Sequence, residues 1–124
     1  MKTRRKPTRP HLQVDAAELD KLIEEAIVDC HDESEQRTGF YTMLEDNLGL
    51  PFETRVLGVQ VTVESIDLTD AEEIVALCKR GGVLQAIPIL DLPLPAPAPP
   101  GAEWIEAYRR WARGAQAVHA GEGS

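Results

Sequence analysis

The 124-residue chain is 43 % hydrophobic, which suits one domain with a modest core, while nine prolines and nine glycines point to loops and tails outside it. The formal net charge of −8 hides an asymmetry. Lys2, Arg4, Arg5, Lys6 and Arg9 all lie in the first ten residues, so residues 11–124 hold eight basic against twenty-one acidic groups, or −13; a body so acidic repels phosphate backbones, which argues against nucleic acid as a partner of the folded part, and attracts cations or a basic protein.

The first segment, "MKTRRKPTRPHLQV" (residues 1–14), combines two prolines with a run of like charge and reads as a disordered basic arm that aids solubility. It lacks the apolar segment of a secretory signal, and no run in the chain approaches the roughly 20 apolar residues that cross a bilayer. A cytoplasmic location without a membrane partner is expected.

From Asp15 the pattern turns helical. In "DAAELDKLIEEAIVDC" Asp15 suits an N-cap with Glu18 at the third helical position, and Leu19, Leu22, Ile23, Ala26, Ile27 and Cys30 recur at helical spacing. The outward face carries Glu18, Glu25, Asp29 and Asp32. Through "HDESEQRTGFYTMLEDN" the helix continues or restarts, with Phe40, Tyr41, Leu44 and Leu48 on one side and Asp32, Glu35 and Asp46 on the other. If it is unbroken, Glu35 and Asp46 stand about 16 Å apart at 1.5 Å per residue and cannot share an ion. Either Gly39 breaks the helix and brings the two acidic ends together, or other parts of the chain complete each end.

The period then changes. In "LGVQVTVESIDL" Val59, Val61 and Val63 alternate with polar residues, and Ile66 and Leu68 take the opposite phase, which predicts a bulge or bend near Glu64 and Ser65. "EEIVALCKRGGVLQAIPIL" reads as two strands joined at Gly81 and Gly82. Short bent strands in series from Phe52 suggest a small SH3-like antiparallel barrel. "DLPLPAPAPPGAE" must be extended and is read as a strap across the domain. Trp104, Tyr108 and Trp111 then share one face of a last helix, which is expected to dock on the core, and residues 115–124 read as a disordered tail. The expected architecture is α+β: N-terminal helices, barrel, proline-rich strap and C-terminal helix in one domain over residues 15–114.

Catalytic signals are sparse. Cys30 and His31 are neighbours that point about 100° apart on a helix, so the imidazole is badly placed to activate the thiol, and there is no phosphate-cradling glycine loop or His-x-x-x-His pair. Cys30 and Cys78 lack CxxC spacing, which argues against a zinc site or a disulfide framework. An enzyme is not expected.

Acids carry the main functional signal. Asp29, Asp32, Glu33 and Glu35 form one group, Glu45 and Asp46 with Asn47 a second, and Asp67, Asp70, Glu72 and Glu73 a third. Such oxygen-rich groups suit Ca²⁺, which takes six to eight oxygens in irregular geometry, better than Zn²⁺, although no EF-hand loop is present. The segment "IVDCHDESEQRTGFYTMLEDNLGLPFETRV" (residues 27–56) resembles the cyanobacterial-type calcium-binding protein family (CcbP-like). Asp29, Asp32, Glu33, Glu35, Gln36, Gly39, Phe40, Tyr41, Leu44, Glu45, Asp46, Leu48, Pro51 and Phe52 carry the match. His31, Ser34 and Phe40 depart from its usual aromatic, acid and Trp. The resemblance implies Ca²⁺ held by acidic side chains, with Asp29, Asp32, Glu33, Glu35, Glu45 and Asp46 as candidate ligands and the third group as a second, composition-based set. Calcium would be buffered or sensed. The alternative is an interaction module that docks a protein partner through the barrel or the Trp-bearing helix.

Overall fold

The computed structural model describes residues 14–123, with side chains as far as Gly114; the basic arm expected over the first residues lies outside them up to residue 13. Element order is α1 (Ala16–Ile27), α2 (Glu33–Asn47), β1 (Phe52–Val56), β2 (Val59–Leu68), β3 (Ile74–Arg80), β4 (Val83–Pro88), a 3-10 turn (Ile89–Asp91) and α3 (Ala102–Gly123). The α+β class expected from the sequence is what forms.

α1 begins where its cap predicts: the Asp15 side chain accepts the Glu18 N–H at 2.8 Å. It ends at Ile27, earlier than the apolar spacing suggested, because Asp29 takes a left-handed φ of 65° and turns the chain. The carboxylates of Asp29 and Asp32 therefore do not prolong the acidic stripe of α1. α2 then starts afresh behind Asp32 and runs unbroken through Gly39 to Asn47.

Gly39 does not break α2; it lets α2 approach α1. A Cβ there would stand 2.2 Å from the Ala26 carbonyl oxygen and 3.5 Å from Cys30 Sγ. Gly101 plays the same part before α3, with φ of 83° and a hypothetical Cβ 2.1 Å from the Asn47 carbonyl.

The four strands form one antiparallel sheet in the order β1-β2-β3-β4. Pairing slips between Val63 and Ser65, so Val61 and Val63 before the slip and Ile66 after it all point into the core, as the phase change predicted. β3 and β4 join at Gly81 and Gly82. The expected barrel closure is not made, since β1 and β4 are the two edges of an open sheet. β1 is flanked by the proline-rich strap, where Thr54 Oγ1 donates to the Pro93 carbonyl at 2.6 Å. β4 pairs with β3 alone and exposes Val83 and Leu84.

The core joins the sheet face to the helices through Phe40, Leu44, Val63, Ile74, Ile89, Leu92 and Ile105, each under 2 % exposed. α3 docks as expected, with Trp104 and Tyr108 buried, and it continues past Gly114 to Gly123. Arg109 staples the strap's origin to α3 by donating to the carbonyls of Ile89 and Leu92.

Because the Gly39 gap is filled by backbone that cannot swing aside, Gly39→Ala is expected to cost about 1–3 kcal/mol, the usual penalty of overpacking. Urea denaturation checks this, and an unchanged midpoint would show that α1 and α2 can part at Gly39 without cost.

Candidate metal centre

The α1–α2 turn places the first acidic group at a helix N-terminus. Asp32 Oδ1 accepts the Glu35 N–H at 2.8 Å, and Glu35 Oε1 accepts the His31 N–H at 2.7 Å. This is a capping-box-like exchange one residue wider than the usual form. Two candidate ligands thus each commit one carboxylate oxygen to ending the turn. Their charge also suits the positive end of the α2 dipole. Asp29, Asp32, Glu33 and Glu35 are all solvent-exposed, and Asp32 and Glu33 border an open groove of ≈ 830 Å³ between the turn and α3.

Glu33 lies one helical turn before Arg37, whose Nη2 is 2.8 Å from Glu33 Oε2. Arg37 Nη1 is also 3.5 Å from Glu72 Oε1, and its guanidinium lies 5.4 Å over the Trp111 ring. Partial burial pulls the Arg37 pKa down, but hydrogen bonds to Glu33 and Tyr108 outweigh it and hold the guanidinium above its ordinary value. Burial pushes the Tyr108 hydroxyl up, tempered by Arg37 and reinforced by Glu73 and Glu33.

Glu72 and Glu73 arrive there on a tightly closed loop. The Glu72 N–H donates to the Thr69 carbonyl at 2.8 Å, the Thr69 N–H to the Glu73 carbonyl at 2.9 Å, and the Glu73 N–H to Thr69 Oγ1 at 3.1 Å. Glu72 adopts φ of 63° within it. Asp67 Oδ1 accepts the Leu68 N–H at the loop's start, and Asp70 is exposed. Two acidic groups separated in sequence therefore meet at one guanidinium.

The other end of α2 is a separate neighbourhood. Burial, then the hydrogen bond to Glu45, then the charges of Glu45 and Asp67 push the Tyr41 hydroxyl up, which puts Glu45 and Asp67 beside one ring. Asp46 is exposed nearby. With α2 unbroken, Glu35 and Asp46 are eleven positions apart, about 16 Å at 1.5 Å per residue, so the six candidate ligands cannot share one ion. The folding together of both ends at Gly39 does not occur. Among the described residues no group of three or more His, Cys, Asp and Glu side chains is gathered closely enough to hold a metal ion. The donors on offer are carboxylate oxygens, hard ligands that fit Ca²⁺. Arg37 was not singled out from the sequence; its pairing with Glu33 at i,i+4 was visible there, but its meeting with Glu72 was not.

The fold defines a small α+β domain with an acidic surface. A family model, Calci_bind_CcbP, described as calcium binding, matches residues 20–112. The chain belongs to that family, whose ion is calcium. A solved structure titled "Calcium binding protein in the calcium-binding form" is similar at a TM-score of 0.61 and 24 % identity, covering 77 % of this chain and 90 % of that one. That likeness carries the fold. No curated protein matches the chain.

The cap made by Asp32 and its charge separate by substitution. Asp32→Ala removes the cap and is expected to cost about 1 kcal/mol, whereas Asp32→Asn keeps a capping oxygen and is expected to stay within about 0.5 kcal/mol of wild type. Denaturant titration in chelator checks both. Equal losses would assign the effect to charge instead of the cap.

Proposed function

We propose that the protein binds Ca²⁺ through clustered surface carboxylates and buffers or senses the ion in the cytoplasm, with no catalytic step of its own. The candidate ligands are Asp29, Asp32, Glu33 and Glu35 with Glu72 and Glu73 towards one end of α2, and Glu45 and Asp46 with Asp67 towards the other; neither group is gathered into a closed shell among the described residues. The reading is carried by one observation: Glu33 of α2 and Glu72 of the β2–β3 loop both approach a single cationic group, at 2.8 and 3.5 Å. Side chains from two elements are thus already held around positive charge. Family membership supplies the identity of the ion.

The physical chemistry supports calcium in particular. Ca²⁺ tolerates irregular oxygen shells at about 2.3–2.6 Å and mixes carboxylate ligands with water, whereas Mg²⁺ demands a smaller octahedron and gives up water reluctantly. Exposed carboxylates on a helix end and a loop match the first description. Ion binding would also relieve the repulsion among acids that outnumber the bases of residues 11–124 by thirteen. Of the competing idea, a partner docking through the sheet or the Trp-bearing helix, the helix form is weakened because Trp104 and Tyr108 are 5 % and 3 % exposed and belong to the protein's own core, with Trp111 half-buried against it.

Calorimetric titration of the chelator-stripped chain with CaCl₂, at about 0.1 M salt to screen diffuse attraction beyond roughly 10 Å, is expected to give saturable heat and a definite stoichiometry. MgCl₂ should give little. Calcium at a hundred times its dissociation constant should stabilise the fold by about 2.7 kcal/mol, and Glu33→Gln with Glu72→Gln should reduce that gain. Featureless, salt-sensitive heat would leave the acids as a solvated surface only.

A further inference from the structure

The sheet ends on an edge that the chain leaves open. We propose that β4 is a docking strand, on which an extended segment of another protein, aliphatic along its length and acidic at its C-terminal end, adds as a fifth antiparallel strand. The proposal is independent of calcium.

The backbone supplies the frame. β4 pairs with β3 alone, so its outward N–H and C=O groups face no neighbouring strand. Of its six residues only Pro88 lacks an N–H, and it stands last, which leaves Val83 to Ile87 able to pair over an ordinary strand length. The other edge is not equivalent, because the proline-rich strap flanks β1 where Thr54 Oγ1 donates to the Pro93 carbonyl.

Side chains supply the selectivity. The ladder sets Val83 opposite Arg80 and Leu84 opposite Lys79. The two aliphatics are 66 % and 57 % exposed and point to opposite faces of the sheet, and both cations are exposed. An incoming strand therefore meets an aliphatic contact and a cation on each face at the hairpin end, then only uncharged residues as far as Ile87. Among the described residues neither Lys79 nor Arg80 joins an ion pair. The acid in the row of Lys79, Glu53 on β1, accepts from Gln60 instead. From Ile74 to Ile87 the chain holds these two cations and no acid. The loop of Glu72 and Glu73 lies at the other end of β3, about 20 Å from them at the rise of a strand. That exceeds the roughly 8–10 Å over which exposed charges act in salt.

Charge complementarity selects the occupant. A second copy of this chain would offer β4 itself, which brings no carboxylate to Lys79 and Arg80, and a body as anionic as the first. A bilayer would meet the aliphatics and the cations but cannot pair the backbone groups. An extended acidic and aliphatic segment satisfies all three, by strand addition at a free edge. The antiparallel sense puts its C-terminal end beside Val83, where the cations are.

The test uses the full chain in chelator and a fluorescein-labelled, amidated heptapeptide of alternating valine and threonine that ends in two glutamates, with anisotropy as the readout. Saturable binding is expected. It should weaken about tenfold when lysines replace the glutamates, or when Lys79→Glu and Arg80→Glu are combined in the protein. N-methylation of alternate peptide amides, in one of the two phases, should abolish it without any change to the protein. Hydrogen exchange at the amides between Val83 and Ile87 should slow when the unmodified peptide is bound. A peptide that does not bind, that binds equally well with lysines, or that tolerates N-methylation in both phases overturns the proposal. Exchange between Val83 and Ile87 that slows with phosphatidylserine vesicles, or with rising protein concentration, but not with the peptide also overturns it, and assigns the edge to a membrane or to a second copy.

Discussion

Phe40 has no exposed surface, and the rings of Tyr108 and Trp111 each stand 5.4 Å from it. This three-ring contact welds the middle of α2 to α3, and the acidic surface depends on it. Arg37 lies one turn before Tyr41 and three residues before Phe40 on the same helix, so the depth at which Phe40 is seated sets the height at which Arg37 and Glu33 emerge. Buried aromatic pairs of this kind contribute about 0.5–1.5 kcal/mol beyond the area they remove from water. About 100° round α2 from Phe40, the missing Cβ of Gly39 allows the Ala26 carbonyl to close in. Held at these two contacts, α2 keeps its charged edge in register with the β2–β3 loop.

Much of this was legible in the sequence, and the reasons are local. Asp15 before an apolar-periodic run predicts the start of α1, and the side-chain bond to Glu18 forms. The change of phase after Val63 predicts the slip at Ser65. Gly81 and Gly82 between two apolar runs predict a hairpin, and the aromatic spacing of α3 predicts its docking. Each of these signals spans a few residues. The misses are non-local: whether the sheet closes depends on β1 meeting β4, and no short pattern states that. Whether Gly39 breaks α2 was likewise left open, because the approach of Ala26 is invisible until α1 is placed beside α2.

The candidate site divides along the same line. Composition marked the acids, and resemblance between residues 27 and 56 selected six of them. Sequence periodicity already warned that Glu35 and Asp46 could not meet on an unbroken helix. What it did not reveal is that Asp32 and Glu35 also shape the turn, or that Glu72 crosses over to Glu33 by way of Arg37. Some carboxylates therefore serve two purposes, local structure with one oxygen and charge with the other. A helix N-terminus makes such sharing natural, since it favours anions whether or not an ion is present.

The open edge at β4 gives the acidity a further meaning. Between Val83 and Ile87 that strand carries no charge, proline or bulge, the devices by which sheet edges ordinarily deter pairing with another chain. Its exposed Val83 and Leu84 are sticky at short range. Deterrence therefore falls to long-range repulsion between highly anionic bodies. Acid near the sequence pI of 4.8, or strong salt, weakens that repulsion. Colloidal stability thus draws on the carboxylates of the folded body.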